Sequence, residues 1–120
     1  MALRRQRTYS DLIETLTPFT CRLQDAGGPG VRLAVTGELD RAAVPRFERA
    51  VAELEDPRHL VLDLDELSFI DAGGLRAIVD LARQAERSGR SIQVANPNTM
   101  LRRLFTLTGL ERSVELVHDD

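Results

Sequence analysis

The chain has 120 residues, 42% hydrophobic and 29% charged, with aromatics at only 4%, which describes one core-forming domain packed from aliphatic side chains. A net charge of −3 and a pI near 5.4 argue against a nucleic-acid binder, which gathers basic residues on one face. One cysteine rules out an internal disulfide, two histidines lack ligand spacing, and all sixteen basic residues are arginine. The last point excludes a phosphate-loop lysine, a Schiff base and a Ser-Lys dyad.

Residues 1–17 read as an N-terminal extension to a domain over 18–120. Arg4, Arg5 and Arg7 form its basic run, and "SDLIETL" holds one helical turn that is too short to be stable alone. "FTCRLQ" (Phe19–Gln24) and "VRLAVTG" (Val31–Gly37) alternate apolar and polar, the period of half-buried strands. The glycine-rich "DAGGPG" between them makes the pair a hairpin. From Glu38 the period changes. Val44, Phe47, Val51 and Leu54 form one helical stripe, with Pro45 in the first turn and Pro57 as the stop.

"HLVLDL" (His59–Leu64) reads as a central strand, and "DELSF" bridges it to a second helix beginning near Ala72. Leu75, Ile78, Val79 and Ala82 face inward on that helix, and Gly89 ends it in a left-handed conformation. "SIQVAN" (Ser91–Asn96) is the next strand. Asn96 caps a third helix with Pro97 at its first position; its inner stripe is Leu101, Leu104, Phe105 and Thr108, and Gly109 closes it. "SVELV" (Ser113–Val117) adds a possible edge strand. The order β-β-α-β-α-β-α(-β) predicts an α/β domain with a mixed, mostly parallel sheet of four to five strands flanked by helices. No apolar run approaches the roughly 20 residues of a membrane span. No signal peptide opens the chain, so the expectation is a cytoplasmic protein with no membrane partner.

In such sheets, sites form beyond the carboxyl ends of strands. Two loops fall there: Gly37–Asp40 and Asp65–Gly74. The second contains "FIDAGGLRAIV", where an apolar run ends in Asp71, three small residues follow and a helix starts. Unpaired N–H groups at that start suit an anion; the plainer alternative is that Asp71 serves only as a cap and Gly73–Gly74 only as packing. Asp63 and Asp65 could share a strand face and hold magnesium or a phosphoryl group. Without lysine, however, the usual neutralising group is missing, and no base is identified for Ser68. The reading is of a protein that is not an enzyme and that needs no cofactor and no metal.

"TGELDRAAVPRFERAV", "LVLDLDELSFIDAGGLRAIVDLARQAERSG" and "NPNTMLRRLFTLTGLERSV" together resemble the STAS domain of bacterial anti-sigma factor antagonists, from about Phe19 to Val117. The resemblance implies a binding switch. The partner is an anti-sigma factor, often a serine kinase of the histidine-kinase-like ATPase type, and binding frees a sigma factor for transcription. It also implies a contact surface of Glu38, Leu39, Asp40, Ser68, Asp71, Ala72, Gly73, Gly74, Leu75 and Arg76, with simple core packing as the alternative for Leu39 and Leu75. Family members carry Asp-Ser-Ser-Gly or Asp-Ser-Thr-Gly at the junction and are switched off by phosphorylation of the first serine. Here the junction reads Asp71-Ala72-Gly73-Gly74; Asp71 and Gly74 carry over, but the phosphoacceptor position is Ala72. The alternatives are a non-phosphorylatable scaffold that assembles with itself or other STAS chains, and a small-ligand or nucleotide-binding module.

Overall fold

A computed structural model describes residues 19–25, 30–54 and 58–118. The extension over 1–17, most of the "DAGGPG" turn and the stop at Pro57 therefore lie outside the described residues. The elements are β1 (Phe19–Asp25), β2 (Val31–Leu39), α1 (Val44–Ala52), β3 (His59–Asp63), β4 (Leu67–Ile70), α2 (Ala72–Arg87), β5 (Ser91–Ala95), α3 (Thr99–Thr108), a 3₁₀ turn (Leu110–Arg112) and β6 (Glu115–Val117). The strands form one sheet in the order β1-β2-β3-β5-β6, with β4 paired to β2. Among the described residues the β1–β2 pair alone is antiparallel; the other pairings are parallel.

The register explains the single hydrophobic core. Leu33 stands beside Leu62, and Leu62 beside Val94, while Leu60 stands beside Ile92. These side chains share one cluster with Phe47, Ile78, Ala82, Leu101 and Phe105 from the three helices. All three helices therefore cover the same face of the sheet. The opposite face is held by polar cross-strand pairs: Thr20 with Thr36, Arg32 with Asp63, and Gln93 with Glu115.

Four expectations are corrected. Gly37–Leu39 is not loop. Gly37 takes φ 90°, a bulge shifts the register between Gly37 and Glu38, and the strand continues to pair with β4. β4 itself is a strand and not a connecting bridge. It has four residues, and its buried ends enclose two exposed positions, so it shows no period of two. Asn96 does not cap α3. It stands at φ 58°, and Asn98 is the cap, accepting from the Leu101 N–H at 2.8 Å. Pro97 precedes the helix instead of opening it. The 3₁₀ turn is an addition that no sequence pattern announces. Thr108, expected on the inner stripe of α3, is exposed. As expected, Pro45 lies in the first turn of α1, and Gly89 and Gly109 take φ 71° and 75° after α2 and α3.

The lone cysteine is chemically quiet. Cys21 lies on β1 opposite Val35, on the helix-covered face. Burial pushes its thiol up to about 11, against a smaller opposing effect of the Arg46 cation, whose guanidinium sits 5.2 Å from the centre of the Phe19 ring. A thiol reacts through its thiolate, and a rise from 9.0 to about 11 makes the thiolate about a hundredfold scarcer at neutral pH. Native protein at pH 7.5 is expected to react with Ellman's reagent about a hundredfold more slowly than the urea-unfolded chain. Equal rates would show Cys21 to be open to solvent.

Candidate functional site

The candidate surface lies where β2 and β4 end and α2 begins. Asp71 is extended, at φ −102° and ψ −177°, and caps α2. Its Oδ1 accepts from the Gly74 N–H at 2.9 Å, and its Oδ2 from the Arg41 N–H at 2.9 Å. One carboxylate thus joins the start of α2 to the segment after β2. Burial alone would raise its pKa. The N–H groups of Gly74, Arg41, Gly73 and Asp71 itself outweigh that and hold the carboxyl below its ordinary value.

Asp40 makes a second cap one segment earlier. Its Oδ1 accepts from the Ala43 N–H at 2.9 Å, and its carbonyl accepts from the Ala43 and Val44 N–H groups. Ser68 donates its hydroxyl to the Gly37 carbonyl at 3.0 Å, which ties β4 across the bulge. No base approaches that hydroxyl among the described residues. Ala72 is exposed at the first position of α2. Arg76 projects to solvent, and its carboxylate neighbour Asp80 is 3.9 Å away, too loose a pair to fix either side chain.

Two of the named residues do not reach the surface with a side chain. Leu39 is fully buried in the core. Gly74 is buried because α2 begins against the backbone of β2: a Cβ there would fall 2.0 Å from the Leu39 carbonyl oxygen. Leu75 is half-buried and packs on the core. The exposed set is therefore Ser68, Ala72 and Arg76, with Glu38, Asp40, Asp71 and Gly73 partly exposed.

The Asp63–Asp65 pair is not a reaction centre. Asp63 receives the Arg32 Nε and Nη2 at 3.2 and 2.9 Å, the Asn96 amide at 3.3 Å and the Asp65 N–H at 3.1 Å. Burial is the largest single influence on its pKa and raises it, but these donors together hold the group below its ordinary value. A carboxylate so engaged braces the open face of the sheet. Asp65 stands in an exposed turn. Among the described residues no cluster of histidine, cysteine and acids could hold a metal ion. No helix there is long and apolar enough to cross a membrane. A groove of about 460 Å³ opens between α1 and α2, lined by Phe47, Val51, Leu60, Leu81 and Ile92 among others, but Asp71–Arg76 contribute nothing to it.

Sequence reasoning located the junction but missed Arg41, whose backbone N–H completes the Asp71 cap. No sequence signal marks such a contact, because any residue type except proline can supply it.

Asp71→Ala is expected to cost about 1–2 kcal/mol at pH 7, the upper part of the range for a lost helix cap. The lowered pKa fixes the pH dependence. A depressed carboxyl contributes stability above its unfolded value near 3.9, and the contribution fades as pH falls through the folded value. Urea midpoints of the two proteins should therefore converge below about pH 4. A gap that persists undiminished into acid would show that the charge plays no part.

The fold and this end of it define a class: a mixed-sheet domain that presents hydrogen-bonding groups and charge on a surface around a capped helix start. Known proteins agree. A family model described as "Mlab, STAS domain" matches residues 23–118. The anti-sigma-F factor antagonist RsfB of Mycobacterium tuberculosis is 31% identical over 108 residues, covering 84% of this chain and 85% of its own. The anti-sigma-B factor antagonist of Bacillus subtilis is 28% identical over 87 residues, covering 72% and 80%. The crystal structure of an anti-sigma factor antagonist from Mycobacterium paratuberculosis superposes with a TM-score of 0.73 at 26% identity, covering 85% of this chain and 87% of its own. The chain belongs to the STAS-domain family of anti-sigma factor antagonists.

Proposed function

We propose that this protein binds an anti-sigma factor of the serine-kinase type through the surface around Asp71, and that phosphorylation does not end the binding. The observation that carries this reading is the exposed Ala72 at the first position of α2, directly after the Asp71 cap. The helix start has the shape a phosphoacceptor would use, while the residue there has no hydroxyl. Relatives named as antagonists of anti-sigma-F and anti-sigma-B factors supply the partner class. The contact surface is formed by Glu38, Asp40, Ser68, Ala72, Gly73 and Arg76, with Asp71 setting the geometry and Leu39 and Gly74 beneath it.

The test is a calorimetric titration with candidate anti-sigma kinases from the source organism, run with and without ATP. The wild type should bind equally in both conditions. Ala72→Ser should gain the mass of one phosphate when kinase and ATP are present, and should then lose binding. If no anti-sigma kinase binds the wild type, the antagonist reading fails. If one binds but the Ala72→Ser variant gains no phosphate, the link to phosphorylation fails while the partner stands.

A further inference from the structure

The third helix carries a surface that the Asp71 site does not use. Leu101 and Phe105 are fully buried and hold α3 on the core, and Leu104 packs there half-buried. Met100 and Leu107 are 44% and 75% exposed. Scattered single apolar residues on a surface need no explanation. These two, however, lie four residues before and three residues after Leu104, so the three form one continuous stripe about 10 Å long. A stripe of that spacing is what another helix packs against. It adjoins the buried face, so α3 is apolar over more of its circumference than the core requires.

The charge beside the stripe selects the occupant. Arg103 is exposed and lies three residues from Met100 and four from Leu107, on the same side. α3 contains no acid at all, and Arg102 and Arg103 are the fourth and fifth of its ten residues. Among the described residues neither arginine has a carboxylate partner; the nearby Glu111 accepts from the Thr106 hydroxyl at 3.0 Å. A second copy of this chain would fit poorly. Packing α3 antiparallel against itself about Leu104 brings two Arg103 side chains together with no acid on either helix to answer them.

We propose that Met100, Leu104 and Leu107, flanked by Arg103, form a docking surface for an amphipathic helix of a partner protein that carries acids beside its apolar stripe. The surface is separate from the one around Asp71, but the two are mechanically joined. Asn98, which caps α3, donates its side-chain amide to the Leu67 carbonyl of β4 at 3.3 Å. The proposal does not depend on the Asp71 surface binding an anti-sigma factor.

The experiment uses the full chain and a synthetic amphipathic helical peptide, with leucines at i, i+4 and i+7 and glutamates on the flank. Its twin carries lysines in their place. Amide NMR shifts on titration should map to Met100–Thr108, with the glutamate peptide binding about tenfold more tightly, as one added charge pair warrants. Arg103→Glu should reverse that preference, and Leu107→Glu should remove the shifts without changing the melting temperature. Equal affinities for the twins, or shifts that map elsewhere, would overturn the proposal. So would a dimer in sedimentation that Leu107→Glu converts to monomer, because a second copy would then be the occupant.

Discussion

Gly74→Ala is expected to lower the unfolding free energy by about 3 kcal/mol or more, at the severe end of overpacking substitutions. The added Cβ would lie 2.0 Å from the Leu39 carbonyl oxygen and 2.9 Å from Ile70 Cγ1. Neither neighbour can yield cheaply. Leu39 is fully buried, and its carbonyl accepts from the Asp71 N–H at 3.3 Å. The helix cannot simply lift away, because the Gly74 N–H is held by Asp71 Oδ1. Alanine's better helix propensity, worth about 1 kcal/mol, works in the opposite direction and is overwhelmed. Gly73→Ala is the control. Its Cβ meets Arg41 and Asp71 Oδ1 at 3.4 Å, an ordinary contact, so it should cost less than about 1 kcal/mol. Urea unfolding of the pair decides the matter. If both behave alike, α2 does not start as close to β2 as this geometry requires.

The contrast between these glycines shows what the sequence could and could not reveal. "DAGG" announces a cap and a tight helix start, but not which glycine is indispensable. That depends on Leu39, far earlier in the chain, arriving beneath Gly74. The long periodic elements are legible because their signal is local. The stripe of α2 and the alternation of β1 and β2 each repeat often enough to be read. β4 is not legible, since its four residues pair with β2 only around the bulge at Gly37; that pairing is set by long-range register. Leu39 stays open between a partner contact and core packing for the same reason. As part of a loop it would be available to a partner, and only the extension of β2 places it in the core. Asn96 and Asn98 present identical side chains two residues apart. The choice of cap follows from Asn96 being drawn to Asp63, again a contact across the sheet.

Ala72→Glu is expected to separate stability from binding more sharply than any other single change. Ala72 is exposed, with its side chain outside the core. Glutamate at the first position of a helix meets the positive end of the dipole, a gain of about 0.3–1 kcal/mol. Repulsion from Asp71 next to it offsets part of that gain. The melting temperature should therefore stay within about 2 °C of wild type, since a change of a few tenths of a kcal/mol moves a domain of this size no further. Binding should respond very differently. A new charge beside Glu38, Asp40 and Asp71 at the centre of the proposed contact must be desolvated or repelled, and the affinity for an anti-sigma factor should fall by about a hundredfold or more. Asp40→Arg is a less clean probe of the same surface, because it also removes the cap on Ala43 and perturbs the entry to α1. Calorimetric titration paired with thermal unfolding reads both quantities on the same samples. An unchanged affinity would place the contact elsewhere on the domain. A falling affinity with an unchanged melting temperature would show that one methyl group at the start of α2 keeps the surface open to its partner.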